Sequence, residues 1–129
     1  EIIPKQKSLF IDSIIAPSAV NLDFYEKVEL LSPFGSGNPE PKFVMENLKA
    51  VNNKIVGKKH IKSVLVGPEG SNIKTITFNA TENELGAYLL TKKSNAFNIA
   101  GKLSLNEWRG QKNVEFIIDD ISVNKNVKN

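Results

Sequence analysis

Apolar positions along the chain switch four times between extended and helical spacing. Residues 8–15, Ser-Leu-Phe-Ile-Asp-Ser-Ile-Ile, are rich in β-branched and aromatic side chains and are stopped by Pro17, which predicts a short strand. From Asn21, a good N-cap residue, Leu22, Tyr25 and Val28 recur at helical spacing with Phe24 and Leu31 alongside, until Pro33 closes the element. A strand and a helix of this size cannot bury a core between them. Either they pack on the rest of the chain, or they are the edge of a domain whose remainder lies upstream.

Between this preface and the body, Leu31 to Phe43 reads Leu-Ser-Pro-Phe-Gly-Ser-Gly-Asn-Pro-Glu-Pro-Lys-Phe. Pro33, Pro39 and Pro41 each fix φ and remove a backbone donor, while Gly35 and Gly37 admit conformations closed to other residues. Neither a helix nor a central strand passes through such a run, so it predicts a rigid joint. Its Gly-x-Gly pair does not complete a dinucleotide fingerprint. Glu40 stands where a third glycine is needed, and Pro39 and Pro41 oppose the helix that should open next.

Beyond the joint, the pattern predicts a long first strand from Phe43 through Val51 towards Val56, bent near Asn52 and Asn53 and ended by Gly57. His60 to Val66 is a second strand, and Gly67-Pro68-Glu69-Gly70-Ser71 is a strong turn signal that sets Ile73 to Ala80 antiparallel to it. Thr81 and Glu84 form a capping box for a helix from Glu82 to about Lys93, with Leu85, Tyr88 and Leu89 on one side. Phe97 to Leu105 and Val114 to Val123 supply two more strands, joined by a loop over 106–113.

Strand, strand, strand, helix, strand, strand is the element order of the OB-fold. The expected architecture is therefore mainly β: a five-stranded Greek-key OB-fold barrel with one helix between strands three and four, preceded by a short strand-helix segment. Gly101, in the fourth strand, suits the tight bend at which such a sheet coils. The expected domains are a strand-helix segment with its Pro/Gly-rich linker over 1–42, the nucleic-acid-binding barrel over 43–123, and a disordered tail over 124–129.

The chain's 129 residues suffice for one such domain with a proper core. It contains no cysteine, which excludes disulfides, thiolate metal sites and a cysteine nucleophile and agrees with a reducing compartment. No apolar run approaches bilayer length and the sequence does not open in the basic-then-apolar order of a signal peptide. The expected localisation is cytoplasmic, with no membrane partner. Net charge is +3, but residues 1–41 carry three lysines against six acids and 42–129 carry fourteen cations against eight acids. A basic body behind an acidic preface fits a module that binds polyanions.

The proline-glycine run at 31–43 resembles the segment leading into the OB domain of the RecJ family, bacterial single-strand-specific exonucleases of the DHH phosphoesterase superfamily. Gly57-Lys58-Lys59-His60-Ile61-Lys62, Thr75-Ile76-Thr77-Phe78-Asn79 and Ala100-Gly101-Lys102-Leu103-Ser104-Leu105-Asn106-Glu107-Trp108 are similar to the same domain in the same order. The resemblance implies a single-stranded DNA-binding fragment of an exonuclease that works five-prime to three-prime in DNA repair and recombination. It further implies a Mg or Mn phosphoesterase centre in a catalytic core outside this chain, and no cofactor or activity in the fragment itself. Single-stranded DNA is the implied partner, with single-strand-binding protein as a second candidate.

The residues themselves offer catalysis no seat. His60, the one histidine, has no serine or cysteine partner at a motif spacing, and Asp119 and Asp120 point to opposite sides of a strand unless a bulge intervenes. No catalytic or metal-ligating residue is expected. Binding is easier to place, because OB-folds hold single strands across their second and third strands, between the loops joining strands one to two and four to five. The first loop carries Lys54, Lys58 and Lys59, and the second carries Trp108, Arg109 and Lys112. Cations neutralise phosphates while an indole or guanidinium plane stacks on a base, and only an unpaired strand offers free base faces.

On the second strand, His60 and Lys62 share a face with Val64, while Ile61, Ser63 and Leu65 take the other; on the third, Thr75, Thr77 and Asn79 alternate with Ile76 and Phe78, and Phe78 is assigned to the core. The candidate nucleic-acid-binding residues are Lys54, Lys58, Lys59, His60, Lys62, Trp108, Arg109 and Lys112. Each cation could equally be an ordinary surface charge, and Trp108 could plug the barrel mouth. Two other classes stay open: a protein-interaction or spacer barrel, and an RNA-binding OB module. Nothing in the residues separates ribose from deoxyribose.

Overall fold

The structure is a computed structural model that describes residues 13–80 and 96–123. Its framework is set by one strand that pairs with three others. β1 (Ser13–Ile14) and α1 (Leu22–Glu29) come first, followed by β2 (Phe43–Val56), β3 (His60–Val66), β4 (Asn72–Thr77), β5 (Phe97–Trp108) and β6 (Gln111–Val123). The first half of β2, Phe43 to Leu48, pairs antiparallel with β5, and its second half, Lys49 to Val56, pairs antiparallel with β3. Two irregularities let it change partner. Asn47, at φ 59, interrupts the β5 ladder between Met45 and Leu48, and Val51 stands outside the β3 ladder between Ala50 and Asn52. The bend expected near Asn52 and Asn53 thus lies at Val51.

β3 and β4 form a hairpin across 67–71, β4 lies parallel to β6 through Thr75 and Phe116, and β6 runs antiparallel to β5, which returns to β2. The pairing order β2-β3-β4-β6-β5 therefore closes on itself, and β1 attaches outside it, parallel to β2. The return depends on Gly101. A Cβ there would run into the Ile117 carbonyl oxygen and crowd the Phe116 ring. At the same place the β5–β6 register slips, with Ala100 facing Asp120 and Gly101 facing Ile118, so that Asp119 bulges out. Beyond Gly101, β5 leaves β2 and continues with β6 alone.

Inward positions of the ring strands meet in one core, built around Met45, Leu48, Ile61, Leu65, Ile99 and Phe116. Ser63, Thr75 and Thr77 are buried with them. Ser63 Oγ donates to Asn53 Oδ1 at 2.6 Å and Thr75 Oγ1 donates to the Ser63 carbonyl at 3.3 Å, so these two hydroxyls enter the core partnered. Thr77 Oγ1, by contrast, is buried without a hydrogen-bond partner among the described residues. The phase of β4 is the reverse of the sequence expectation: Thr75 and Thr77 point inward, and Phe78 is 48% exposed instead of buried. Register explains the difference. Leu65 faces Ile73 across the hairpin, and cross-strand partners share a face, so burying Leu65 carries Ile73, Thr75 and Thr77 inward.

The preface packs on the ring rather than standing apart. Asn21 caps α1, its Oδ1 accepting the Phe24 N–H at 2.8 Å. The helix sets Phe24 against Phe43, with ring centroids 5.6 Å apart, and lays Tyr25 and Val28 on the core. The joint is a closed turn: Gly35 and Asn38 exchange backbone hydrogen bonds at 2.9 and 3.0 Å. Asn38 Nδ2 also donates to the carbonyls of Leu31 and Pro33 at 2.7 and 2.9 Å. Lys102–Glu40 and Lys42–Asp119, at 3.4 and 3.0 Å, tie the exit of the joint to β5 and β6. Strand residues 8–12, the helix expected over 82–93 with its capping box, and the tail over 124–129 lie outside the described residues. Among the described residues, no helix is long and apolar enough to cross a membrane.

Because backbone and not a flexible side chain blocks the new methyl, Gly101→Ala is expected to lower stability by about 3 kcal/mol or more. Gly37→Ala, which meets open space, should stay within about 0.5 kcal/mol of the wild type. Urea denaturation of the two variants side by side checks both values.

Candidate nucleic-acid interface

The turn between β2 and β3 is Gly57-Lys58-Lys59, with Gly57 at φ 62 and Lys58 at φ 67. Between β5 and β6 the structure departs from the expected loop over 106–113. Both strands run on, pairing Asn106 with Asn113, Glu107 with Lys112 and Trp108 with Gln111, and only Arg109-Gly110 turns, at φ 53 and 79. Positive φ at both central residues is the type I′ geometry whose twist matches the flanking strands. All of 106–113 is exposed, so this arm has no buried face and leaves no alternation in the sequence to read.

The arm closes one side of a groove. Outward positions of β2, β3 and β4 present Lys54, Lys62 and Lys74, and the arm sets Asn106, Asn113 and Glu115 against them, enclosing about 290 Å³. Lys54 lies directly across from Lys62 in the β2–β3 ladder. Like charges in that position repel and weaken a sheet. Lys62 Nζ lies 3.8 Å from Glu115 Oε2, to which Asn106 Nδ2 also donates at 3.5 Å.

Strand directions send the Gly57–Lys59 turn and the Arg109-Gly110 turn to opposite ends of the sheet, and the base of the arm, at Asn106 and Asn113, lines the groove that holds Lys54 and Lys62. Lys58 and Lys59 stand in the turn next to the groove. His60 faces outward with Lys62; its Nδ1 accepts the Asn79 N–H at 3.0 Å and its ring meets Phe78 edge-on at 5.1 Å. Trp108 is 65% exposed and so plugs nothing, and the Arg109 guanidinium lies 4.4 Å from the centre of its ring. By alternation Trp108 shares the face of the arm that carries Asn106, Asn113 and Glu115, whereas Lys112 sits on the other face, across from Glu107. Lys112 therefore stands apart from the other candidates. Lys74 takes its place, missed because the faces of β4 had been exchanged.

The RecJ OB domain family matches residues 11–120. The chain belongs to that family. Among its relatives, the single-stranded-DNA-specific exonuclease RecJ of Bacillus subtilis is 27% identical over 127 residues, covering 97% of this chain and 15% of that protein. RecJ of Escherichia coli is 28% identical over 112 residues, covering 85% of this chain and 18% of that protein. Two structures of RecJ from Thermus thermophilus, in complex with Mn2+ and with Mg2+, share the fold at 22% identity, with TM-scores of 0.63 and 0.64 over 88% of this chain. The chain spans less than a fifth of the length of these relatives.

The carboxylates of this RecJ OB domain do not fit an ion of that kind. Although Asp119 is bulged, its carboxylate pairs with Lys42 at 3.0 Å, and Asp120 Oδ1 accepts the Ile121 N–H at 2.9 Å. Among the described residues, no three histidine, cysteine, aspartate or glutamate side chains converge to hold a metal.

The facing lysines make a test of cost. Replacing one of them with an acid turns a repelling cross-strand pair into an attracting one, so Lys54→Glu is expected to stabilise the fold by about 0.5 kcal/mol at low salt. The gain should fade at about 1 M salt, where exposed charges are screened beyond ~3 Å. Thermal unfolding at the two ionic strengths measures it.

Proposed function

We propose that this RecJ OB domain is the single-stranded DNA-binding part of a RecJ-like exonuclease, its closed ring of strands a Greek-key OB barrel whose outer groove holds an unpaired strand by the backbone. Hydrolysis, five-prime to three-prime in repair and recombination, belongs to a Mg- or Mn-dependent core outside this chain. The 129-residue chain alone is not a nuclease. The observation that carries the reading is the groove with Lys54, Lys62 and Lys74 along it; the strands that line it lead into the turns that hold Lys58 and Arg109 at positive φ.

Each of these placements works against the fold. Lys54 and Lys62 repel across the ladder, and an L-residue in the left-handed region costs about 1 kcal/mol where asparagine or glycine would turn the chain more cheaply. A bound polyanion would offset the repulsion between the facing lysines. Phosphates over the lysines and bases against Trp108 and the exposed edge of Phe78 would hold a strand without a base code. A spacer or protein-contact barrel, facing the catalytic domains or single-strand-binding protein, is the competing reading. Its surface would be the exposed Leu30 and Ile14 of the preface, and the lysines would be idle.

Fluorescence polarisation with a labelled oligonucleotide separates the two. Binding should favour single strands over duplex and weaken with salt at a slope of about −0.7 per phosphate neutralised. Joint replacement of Lys58, Lys59 and Arg109 by alanine should flatten that slope by about two units. Equal affinity for duplex, or affinity untouched by the triple variant, would mean that the groove is not a single-strand site.

A further inference from the structure

The groove contains an acid among its cations. We propose that Glu115 is a built-in counter-anion: it holds Lys62 while the groove is empty, competes there with the phosphate of an incoming strand, and so limits how tightly the groove grips DNA. This rests on the reading of the groove as a single-strand site.

Glu115 is the one acid among the described residues that line the groove, where Lys54, Lys62 and Lys74 supply three positive charges. Its side chain is set into the wall, only 13% exposed, with Asn106 Nδ2 a weak donor to the carboxylate at 3.5 Å. Lys62 is the loose partner. Its side chain is 45% exposed and its ammonium stands 3.8 Å from the carboxylate, well beyond the contact of a tight charge-assisted hydrogen bond, about 2.7–2.9 Å. A long lysine stem can swing from that distance to a phosphate, whereas the enclosed carboxylate has no such freedom.

The same carboxylate moderates the repulsion between Lys62 and Lys54, so the empty groove keeps its two facing cations with one anion between them and the arm. When a phosphate takes Lys62, Glu115 is left beside a second anion in a partly enclosed space, and the repulsion opposes binding. Apart from easing that repulsion, packing does not ask for an acid at this point. The strand alternates there between the core residue Phe116 and outward positions that a neutral side chain would fill as well. A groove tempered in this way lets a strand go more readily than one lined by cations only.

The test uses the 129-residue chain and a labelled oligothymidylate, with polarisation read across a range of salt. Glu115→Gln keeps the size of the side chain and an oxygen that can accept from Asn106, and removes the charge; Glu115→Thr, a good strand former, is the second variant if the first folds poorly. Loss of the charge should tighten binding roughly five- to tenfold at low salt. Lys62→Ala should cost more affinity in the Glu115→Gln background than in the wild type, because only there is Lys62 free to bind phosphate throughout. Tighter binding with that coupling supports the proposal. Unchanged or weaker binding by both Glu115 variants, or an equal cost of Lys62→Ala in the two backgrounds, overturns it while leaving salt-dependent single-strand binding intact. If no variant and no wild-type protein binds the oligonucleotide at low salt, the groove reading falls and the proposal with it.

Discussion

The close approach of two backbones at Gly101 governs the rest of the structure. β5 must pair with β2 on one side, then bend and pass on with β6, and the bend brings its Cα against the Ile117 carbonyl where a side chain has no room. Without that bend the sheet would stay open, with an unpaired edge on β2 or β5. With it, the ladder order returns to its start, the inward positions meet in a common core, and the outward positions face the preface or solvent. The division into inside and outside decides which residues are available for binding at all.

From that division the groove follows. Past Gly101, β5 has only β6 beside it, and before its pairing with β4 at Phe116 β6 has only β5, so the end of β5 and the start of β6 rise from the ring as an arm, with both faces wet over 106–113. An arm of this kind contributes little to the core, and its polar composition and left-handed Arg109 would be poor choices for stability alone. The same holds for Lys54 opposite Lys62. Both costs fall on outward-facing parts of the strands and turns, while the preface and the joint show the opposite habit, with a capped helix and a closed turn. Local concessions at outward positions, on a fold that is otherwise consistent with itself, are what a functional surface looks like in physical terms.

Much of the ring could be read in the sequence because its signals are local. The Pro/Gly run, the turn at 67–71, the Asn21 cap, the long bent first strand and the glycine at 101 each announce themselves through residues whose backbone preferences are strong. The phase of β4 was not legible from hydrophobicity, since Thr75 and Thr77 go inward and Ile76 and Phe78 do not. A hydroxyl can be buried with a partner, as at Thr75, or, as at Thr77, carried inward by the register with none among the described residues, and a phenyl ring at a strand end can stay out. Register would have given the right answer, because the hairpin turn pairs Leu65 with Ile73 and a pair shares a face. The arm over 106–113 was illegible for a different reason: a ribbon exposed on both faces has no hydrophobic period. The candidate site was thus legible as a set of cations near two turns, but not in its geometry. Lys74 and the exposure of Phe78 were hidden by the exchanged faces of β4, and the separation of Lys112 from Trp108 by the unseen arm.

The preface takes part in the same arrangement. β1 adds to the edge of β2 at Phe43, the residue that also receives the Phe24 ring, so the first residues of the ring carry strand pairing and helix packing together. The two ion pairs at the joint land on Lys102, next to Gly101, and on Asp119, the residue bulged out by the slipped register. The bend that closes the ring therefore also supplies the anchor points of the joint. Exposed pairs of this kind are weak singly, about 0–1 kcal/mol each, and it is their location on a sterically fixed bend that lets them orient the incoming chain. The direction in which the preface leaves the ring is set by the same backbone contact that sends the β5–β6 arm across the groove. A change at Gly101 would disturb the arm and the joint at once, which couples the orientation of the groove to that of the segment before it.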